Sequence, residues 1–317
     1  MLAGHGRDVS RTDTLERKGP EVAETREKSI EPVVVAAVDG SESSRQAAVW
    51  AAAEAALHGS TLHLLTSVAV STGYGTGLTL PVTELELLQA EGERLVAEVR
   101  GQLAVSAPAD LKITTEATFD FIIPSLLAYS ERVRMIVVGS RGLGAFRRGL
   151  LGSVSTAVTR HAQCPVTVVH ETAAGADQWA GKPILVGVDG TENSVDAVDY
   201  AFEEASRRGV GLIALHSWSD TNSLELGIVD WEAIAADEEA LLAERLAGYA
   251  ERYPDVEVRR IVVANRPVRS MLDASADAQQ VVVGSHGRGG FTGMLLGSTS
   301  NALIHTVECP ITVVRRR

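Results

Sequence analysis

Short runs of Val, Ile and Leu alternate along the chain with longer stretches of helical spacing, a pattern that predicts a parallel sheet covered by helices. In the first half it predicts strand Val33–Val38, helix Ser44–His58, strand Thr61–Val70, helix Thr83–Leu103, strand Leu111–Thr118, helix Ile122–Glu131, strand Met135–Gly139, helix Ser153–His161 and strand Val166–His170. The second half repeats it. Runs such as Met-Ile-Val-Val-Gly and Gln-Val-Val-Val-Gly are apolar almost throughout, as strands buried on both faces should be. The helices ending at His58 and Arg208 are each followed by glycine (Gly59, Gly209), which suits a left-handed position past a helix end. Each half is therefore expected to be a five-stranded α/β layer sandwich.

The halves are copies. Pro32-Val-Val-Val-Ala-Ala-Val-Asp39-Gly40-Ser41 returns as Pro183-Ile-Leu-Val-Gly-Val-Asp189-Gly190-Thr191. Gly139 to Val169 and Gly284 to Val314 align without a gap, and 16 of 31 positions are identical, too many for chance. The expected organisation is a flexible N-terminal arm of mixed charge over 1–31, a first domain over 32–171, a linker over 172–182 and a second domain over 183–317.

Composition narrows the functional classes. The 317-residue chain carries 41 Asp and Glu against 29 Lys and Arg, a net charge of −12, which argues against a nonspecific nucleic-acid or anionic-membrane binder. Aromatic residues are only 4%, too few for single-strand stacking platforms. The longest apolar run, Ala47 to Ala53, has seven residues, so no membrane helix is expected. Two cysteines, Cys164 and Cys309, make no disulfide framework and occupy equivalent places where a small buried hydrophobe fits. A cytoplasmic location is expected.

The candidate chemistry lies at strand ends, where an open doubly wound sheet binds its ligands. Asp39 and Asp189 close the first strand of each copy, and Gly139 and Gly284 close the fourth. The latter begin the pattern Gly-x2-Gly-x9-Gly-Ser, written as Gly139, Gly142, Gly152, Ser153 and as Gly284, Gly287, Gly297, Ser298. Glycine lets backbone N–H groups approach an anion, and the closing Gly-Ser opens a helix whose unpaired N–H groups favour phosphate. The hydroxyls of Ser153, Ser155, Ser298 and Ser300 add donors. The bland alternatives are tight-turn glycines with Ser153 as an ordinary N-cap, and an Asx-turn or capping role for Asp39 and Asp189. His286 stands inside a glycine loop, with an exposed loop histidine as its alternative. A P-loop, a Gly-x-Gly-x-x-Gly after either first strand, a Gly-x-Ser-x-Gly elbow and a His-Glu-x-x-His are all missing from the sequence.

These residues resemble the universal stress protein family in its tandem, ATP-binding form, of the actinobacterial type, over nearly all of the chain from about Pro32 in both copies. The resemblance implies two Rossmann-like α/β domains, each a five-stranded parallel sheet of order 3-2-1-4-5 flanked by helices, with one ATP per domain and a regulatory role in stress response. Carried over, Asp39 and Asp189 meet the adenine or ribose, and the backbone of Ser67 and Ser217 meets the adenine. Gly139, Arg141, Gly142, Gly152, Ser153, Val154 and Ser155 hold the phosphates of one ATP, with Mg2+ as a phosphate-bound companion. Gly284, His286, Gly287, Gly297, Ser298, Thr299 and Ser300 hold those of the other. Ser67 and Ser217 stand where an aliphatic residue is common in the family, which backbone contact tolerates. No catalytic residue or protein-built metal site is assigned; a slow ATPase or phosphotransferase using the same crevices is the alternative. A homodimer is expected, because Val166–His170 and Ile311–Val314 are the sheet edges of the family topology and open apolar edges invite pairing. A protein partner of unknown identity is expected too.

Overall fold

The structure, a computed structural model, describes residues 31–69, 81–142, 151–171, 176–218, 231–264, 266–287 and 295–316. The N-terminal arm lies outside these, apart from Glu31, which opens the first strand.

The first domain runs β1 (Glu31–Ala37), α1 (Glu42–Leu57), β2 (Thr61–Ser67), α2 (Val82–Ser106), β3 (Ile113–Thr118), α3 (Ile122–Ser130), β4 (Val133–Gly139), α4 (Ser153–His161) and β5 (Val166–Val169). The second runs β6 (Ile184–Val188), α5 (Val195–Arg208), β7 (Leu212–Trp218), α6 (Trp231–Arg245), α7 (Tyr249–Arg252), β8 (Val258–Ala264), α8 (Pro267–Ser275), β9 (Gln280–Gly284), α9 (Ser298–Thr306) and β10 (Ile311–Val314). Gly59 and Gly209 take φ of +59° and +62°, the left-handed turn that lets α1 and α5 stop and the chain re-enter the sheet. Ser41, whose hydroxyl accepts from the Ser44 N–H at 3.2 Å, caps α1, so the helix starts before Ser44. The copies differ over the second helix. In the first domain α2 is one 25-residue helix; in the second its place is taken by α6 and α7, separated around Gly248 at φ +86°. Within 172–182, Ala176–Trp179 forms a 3-10 turn, and Trp179 packs against the apolar core.

All strands belong to one sheet of order β3-β2-β1-β4-β5-β10-β9-β6-β7-β8. Pairing is parallel inside each domain and antiparallel at the join, where Ile311, Thr312 and Val313 face Val168, Thr167 and Val166. The expected open edges are thus a correction: β5 and β10 cover one another within the chain, which satisfies their backbone groups and removes the edge-pairing argument for a homodimer. The register is self-complementary. Thr167 and Thr312, equivalent in the two copies and both 0% exposed, share a hydrogen bond of 2.7 Å between their hydroxyls, as a pseudo-twofold axis through the join requires.

The two sheet faces are covered differently. Under α3, α4, α8 and α9 a single apolar cluster crosses the join, with Val158 and Leu126 from one domain and Leu303 and Met271 from the other. On the opposite face each domain keeps its own cluster, one under α1 and α2 and one under α5 and α6.

Candidate functional site

The first crevice opens beyond the carboxyl ends of β1, β2 and β4, with the start of α4 at its border and α2 as a wall. It encloses about 1070 Å³. All of Asp39, Ser67, Gly139, Arg141, Gly142, Gly152, Ser153, Val154 and Ser155 line it.

The loop geometry explains its residue types. Gly152 holds the N-cap position of α4 with no side-chain cap, and its N–H donates to the Ser140 carbonyl at 2.8 Å. Ser153 is then the first helical residue, which corrects its N-cap reading. The N–H groups of the first turn are left facing the crevice mouth, the arrangement that attracts an anion. The Ser155 hydroxyl donates to the Ser140 and Gly152 carbonyls, at 3.4 Å each, and so braces the turn. The glycines permit close approach rather than unusual dihedrals. A Cβ on Gly142 would lie 2.4 Å from Asp39 Oδ2, and one on Gly139 would lie 2.8 Å from the backbone carbon of Ser43. Gly139 therefore seats the first turn of α1 on the end of β4. Asp39 does make the Asx-type turn, accepting from the Ser41 N–H at 3.0 Å and the Ser41 hydroxyl at 2.6 Å through Oδ1. Its Oδ2 is the oxygen nearest Gly142, so turn formation and a place in the crevice coexist in one carboxylate. The Ser67 hydroxyl donates to the Asp120 carbonyl at 2.7 Å and pins the turn that follows β3.

In the second domain the matching residues again gather at strand ends: Asp189 after β6, Ser217 in β7, Gly284 closing β9, then His286 and Gly287, with Gly297 as N-cap and Ser298, Thr299 and Ser300 as the first turn of α9. Asp189 accepts from the Thr191 N–H at 2.8 Å and from its hydroxyl. Ser300 donates to the Gly284 carbonyl at 2.6 Å, and a ring nitrogen of His286 lies 3.0 Å from the Ser285 hydroxyl. Arg147 and Arg148 in the first loop, and Arg288 in the second, lie outside the described residues.

A family model described as the universal stress protein family matches residues 32–170 and 181–315. The chain is 45% identical over 285 residues to universal stress protein Rv2005c of Mycobacterium tuberculosis, which covers 89% of this chain and 97% of that one. It is 41% identical over 292 residues to a universal stress protein of Mycolicibacterium smegmatis, covering 90% and 97%. This chain belongs to the universal stress protein family. A solved universal stress protein from Archaeoglobus fulgidus shares the fold, with a TM-score of 0.64 at 21% identity over 90% of this chain and 99% of that one.

Membership in the universal stress protein family supports a role in stress response. The resemblance carried no residue of α2, yet Leu88, Glu91, Gly92, Arg94, Leu95 and Glu98 all line the first crevice. One signal was available. Gly92 sits inside a helical pattern, where glycine costs stability unless something needs the space. A Cβ there would lie 2.5 Å from Val68 Cγ1, so α2 comes down onto the end of β2 only because position 92 is bare. Thr66 and Val68, which line the same wall, were missed as well. Among the described residues no helix is long and apolar enough to cross a membrane.

Proposed function

We propose that this universal stress protein is an ATP-binding regulator that holds one ATP in each domain with little or no turnover, and that it reports nucleotide state to a protein partner. The observation that carries the reading is the first crevice: a cavity of about 1070 Å³ that joins an uncapped helix N-terminus, Arg141 and the Asp39 carboxylate to the apolar side chains of Val68, Leu88 and Leu95. That volume is of the order of a small-molecule site, ~300–1,000 Å³. One part of the lining suits phosphate, another suits a base. In this reading the phosphates lie against the first turn of α4 and Arg141, Asp39 accepts from the nucleoside, and Mg2+ arrives on the phosphates.

Binding without turnover is favoured by what the wall offers. Among the described residues that line the cavity there is no histidine and no lysine, and each carboxylate is engaged: Asp39 with the Ser41 hydroxyl and N–H, Glu98 with Arg45 at 2.9 Å and Glu91 beside Arg94 at 3.8 Å. A water-activating base needs its lone pair aimed at the water. The experiment is calorimetry on nucleotide-stripped full-length protein with ATP, followed by identification of any nucleotide that heat releases from the protein as purified. Two ATP per chain is expected; no heat overturns the reading. Steady phosphate release over many turnovers favours the enzyme alternative.

A further inference from the structure

The polar join between α1 and α5 brings equivalent positions of the duplication together: Glu54 with Glu204, and His58 with Arg208. All three of Glu54, Glu204 and His58 have side chains 1% exposed. His58 Nε2 lies 3.0 Å from Glu54 Oε1 and 2.8 Å from Glu204 Oε1. The other oxygen of each carboxylate accepts from Arg208 Nη2, that of Glu204 at 3.2 Å. His58 Nδ1 faces Glu203 Oε1 at 4.0 Å, and Glu203 also takes Arg134 of β4 at 3.0 Å and Arg207 at 3.1 Å. Trp50 lies beneath Arg208, and the buried hydroxyl of Tyr200 has no hydrogen-bond partner among the described residues.

We propose that this cluster is a proton-operated clamp between the two domains, in which protonated His58 locks α1 to α5 and loss of its proton loosens this face of the join while the apolar face holds. Two buried carboxylates need two positive charges, because an unpaired buried charge is severely unfavourable. Arg208 supplies one permanently. His58, the counterpart of Arg208 in the other copy, supplies the second only when protonated. With the proton Glu54, Glu204, Arg208 and His58 are neutral together; without it one negative charge is left over. The Glu-His-Glu donor set would also suit a divalent metal, but Arg208 already holds both carboxylates. The N to O separations are hydrogen-bond lengths, and a dication beside neutral His58 would leave an excess positive charge.

Burial works to lower the His58 pKa, yet Glu204 and Glu54 outweigh it, and the value is raised above the ordinary 6.5. Glu204 is pushed up to about 7, by burial first and then by the Glu54 charge. Both values are raised, so stabilisation falls as pH rises, for Glu204 between 4.5 and about 7 and for His58 from 6.5 through its raised folded value; the neutral count of four charged groups applies where Glu204 has lost its proton and His58 keeps its own. Glu54 is lowered by its bonds and charges to His58 and Arg208 in spite of burial, so its own contribution is lost on the acid side.

The test uses the full-length chain, its His58→Arg variant, thermal unfolding, and amide exchange corrected for intrinsic rates, at about pH 6 and about pH 8.5. The wild type is expected to lose several degrees of midpoint at the higher pH and to exchange faster in the last turns of α1 and α5, with β5 and β10 unchanged. His58→Arg, which makes the clamp symmetric and permanent, is expected to flatten both responses. A His58→Arg profile parallel to wild type overturns the proposal, as does equal protection of α1 and α5 at both pH values. Should the variant not fold, the wild-type imidazole resonance decides: titration above the ordinary histidine range supports the clamp, and titration at or below it overturns it. A midpoint that rises with Zn2+ and falls with chelator also overturns it, in favour of a metal site.

Discussion

The two domains of this protein share the glycine-pattern side of the candidate site and differ on the other. Each copy keeps the glycine pattern, an uncapped helix start and a serine that braces the turn: Ser155 on Ser140 and Gly152, Ser300 on Gly284. At the end of the second strand they part. The first crevice is lined there by Thr66 and Val68. The equivalent positions carry His216 and Trp218, which are 1% and 4% exposed, and the two His216 ring nitrogens lie 2.7 Å from the Val188 carbonyl and 2.8 Å from Glu238 of α6. The second domain thus carries larger buried side chains at these positions, and His216 is bonded to the covering helix. The two copies thus keep the same glycine loop and helix start and differ at the neighbouring positions. On this basis the first domain is expected to bind ATP more tightly than the second.

The largest break in the comparison comes from the second glycine of each pattern. At Gly142 a Cβ collides with the Asp39 carboxylate at 2.4 Å, whereas at Gly287 the nearest atom, Asp189 Oδ2, is 3.6 Å away, an ordinary contact. Gly142→Glu should remove first-site binding, at least about 100-fold or ~2.7 kcal/mol. The milder Gly142→Ala should already weaken that site, while Gly287→Ala should leave the second nearly untouched. Calorimetric titration of each variant, with circular dichroism to verify folding, reads the asymmetry; equal responses to the two alanines would show that Asp39 moves aside freely.

A second variant works in the opposite direction. Replacing His216 by Thr and Trp218 by Val gives the second crevice the wall of the first. It should raise second-site affinity for ATP by about 10-fold, ~1.4 kcal/mol. The counter-effect is structural, because the Trp218 side chain fills core volume and its loss opens a cavity. Binding is therefore compared at a temperature well below the variant's own midpoint. No gain in affinity would mean that the second crevice is limited elsewhere.

The alternation of strands and helices, the duplication and the positions of the glycine pattern were legible because each is a local signal: periodicity, identity at a fixed offset, residues that tolerate close approach. The nine first-domain residues singled out on that basis do surround one cavity. What escaped was non-local. Whether β5 and β10 face solvent, another chain or each other depends on how two domains meet, and four-residue strands carry no mark of it. The α2 wall was invisible for a related reason: nothing in the helical spacing of Glu91, Arg94 and Glu98 marks them as lining a cavity until the helix is laid across the crevice. Similarly, Glu54, His58, Glu204 and Arg208 look like ordinary charged positions at helix ends, and only the pseudo-twofold join buries them together.

The smallest expected effect concerns charge at the phosphate side. Arg141 lines the first crevice, and the equivalent position in the second is His286. A permanent guanidinium near the phosphates, partly exposed, should favour the first site by ~0.5–1 kcal/mol at low salt, since exposed ion pairs contribute no more than that. Screening then sets the signature. Raising ionic strength from about 0.01 M to about 1 M shortens the Debye length from ~30 Å to ~3 Å, so this part of the preference should fade with salt while the part due to His216 and Trp218 persists. Gly287→Glu and Gly142→Glu isolate the two sites, and ATP titrations of each across that range separate the contributions. If the two sites show parallel salt dependence, Arg141 points its charge away from the phosphates; if Arg141→His in the first site reproduces the second site's slope, the charge difference at this one position accounts for the salt-sensitive part of the preference.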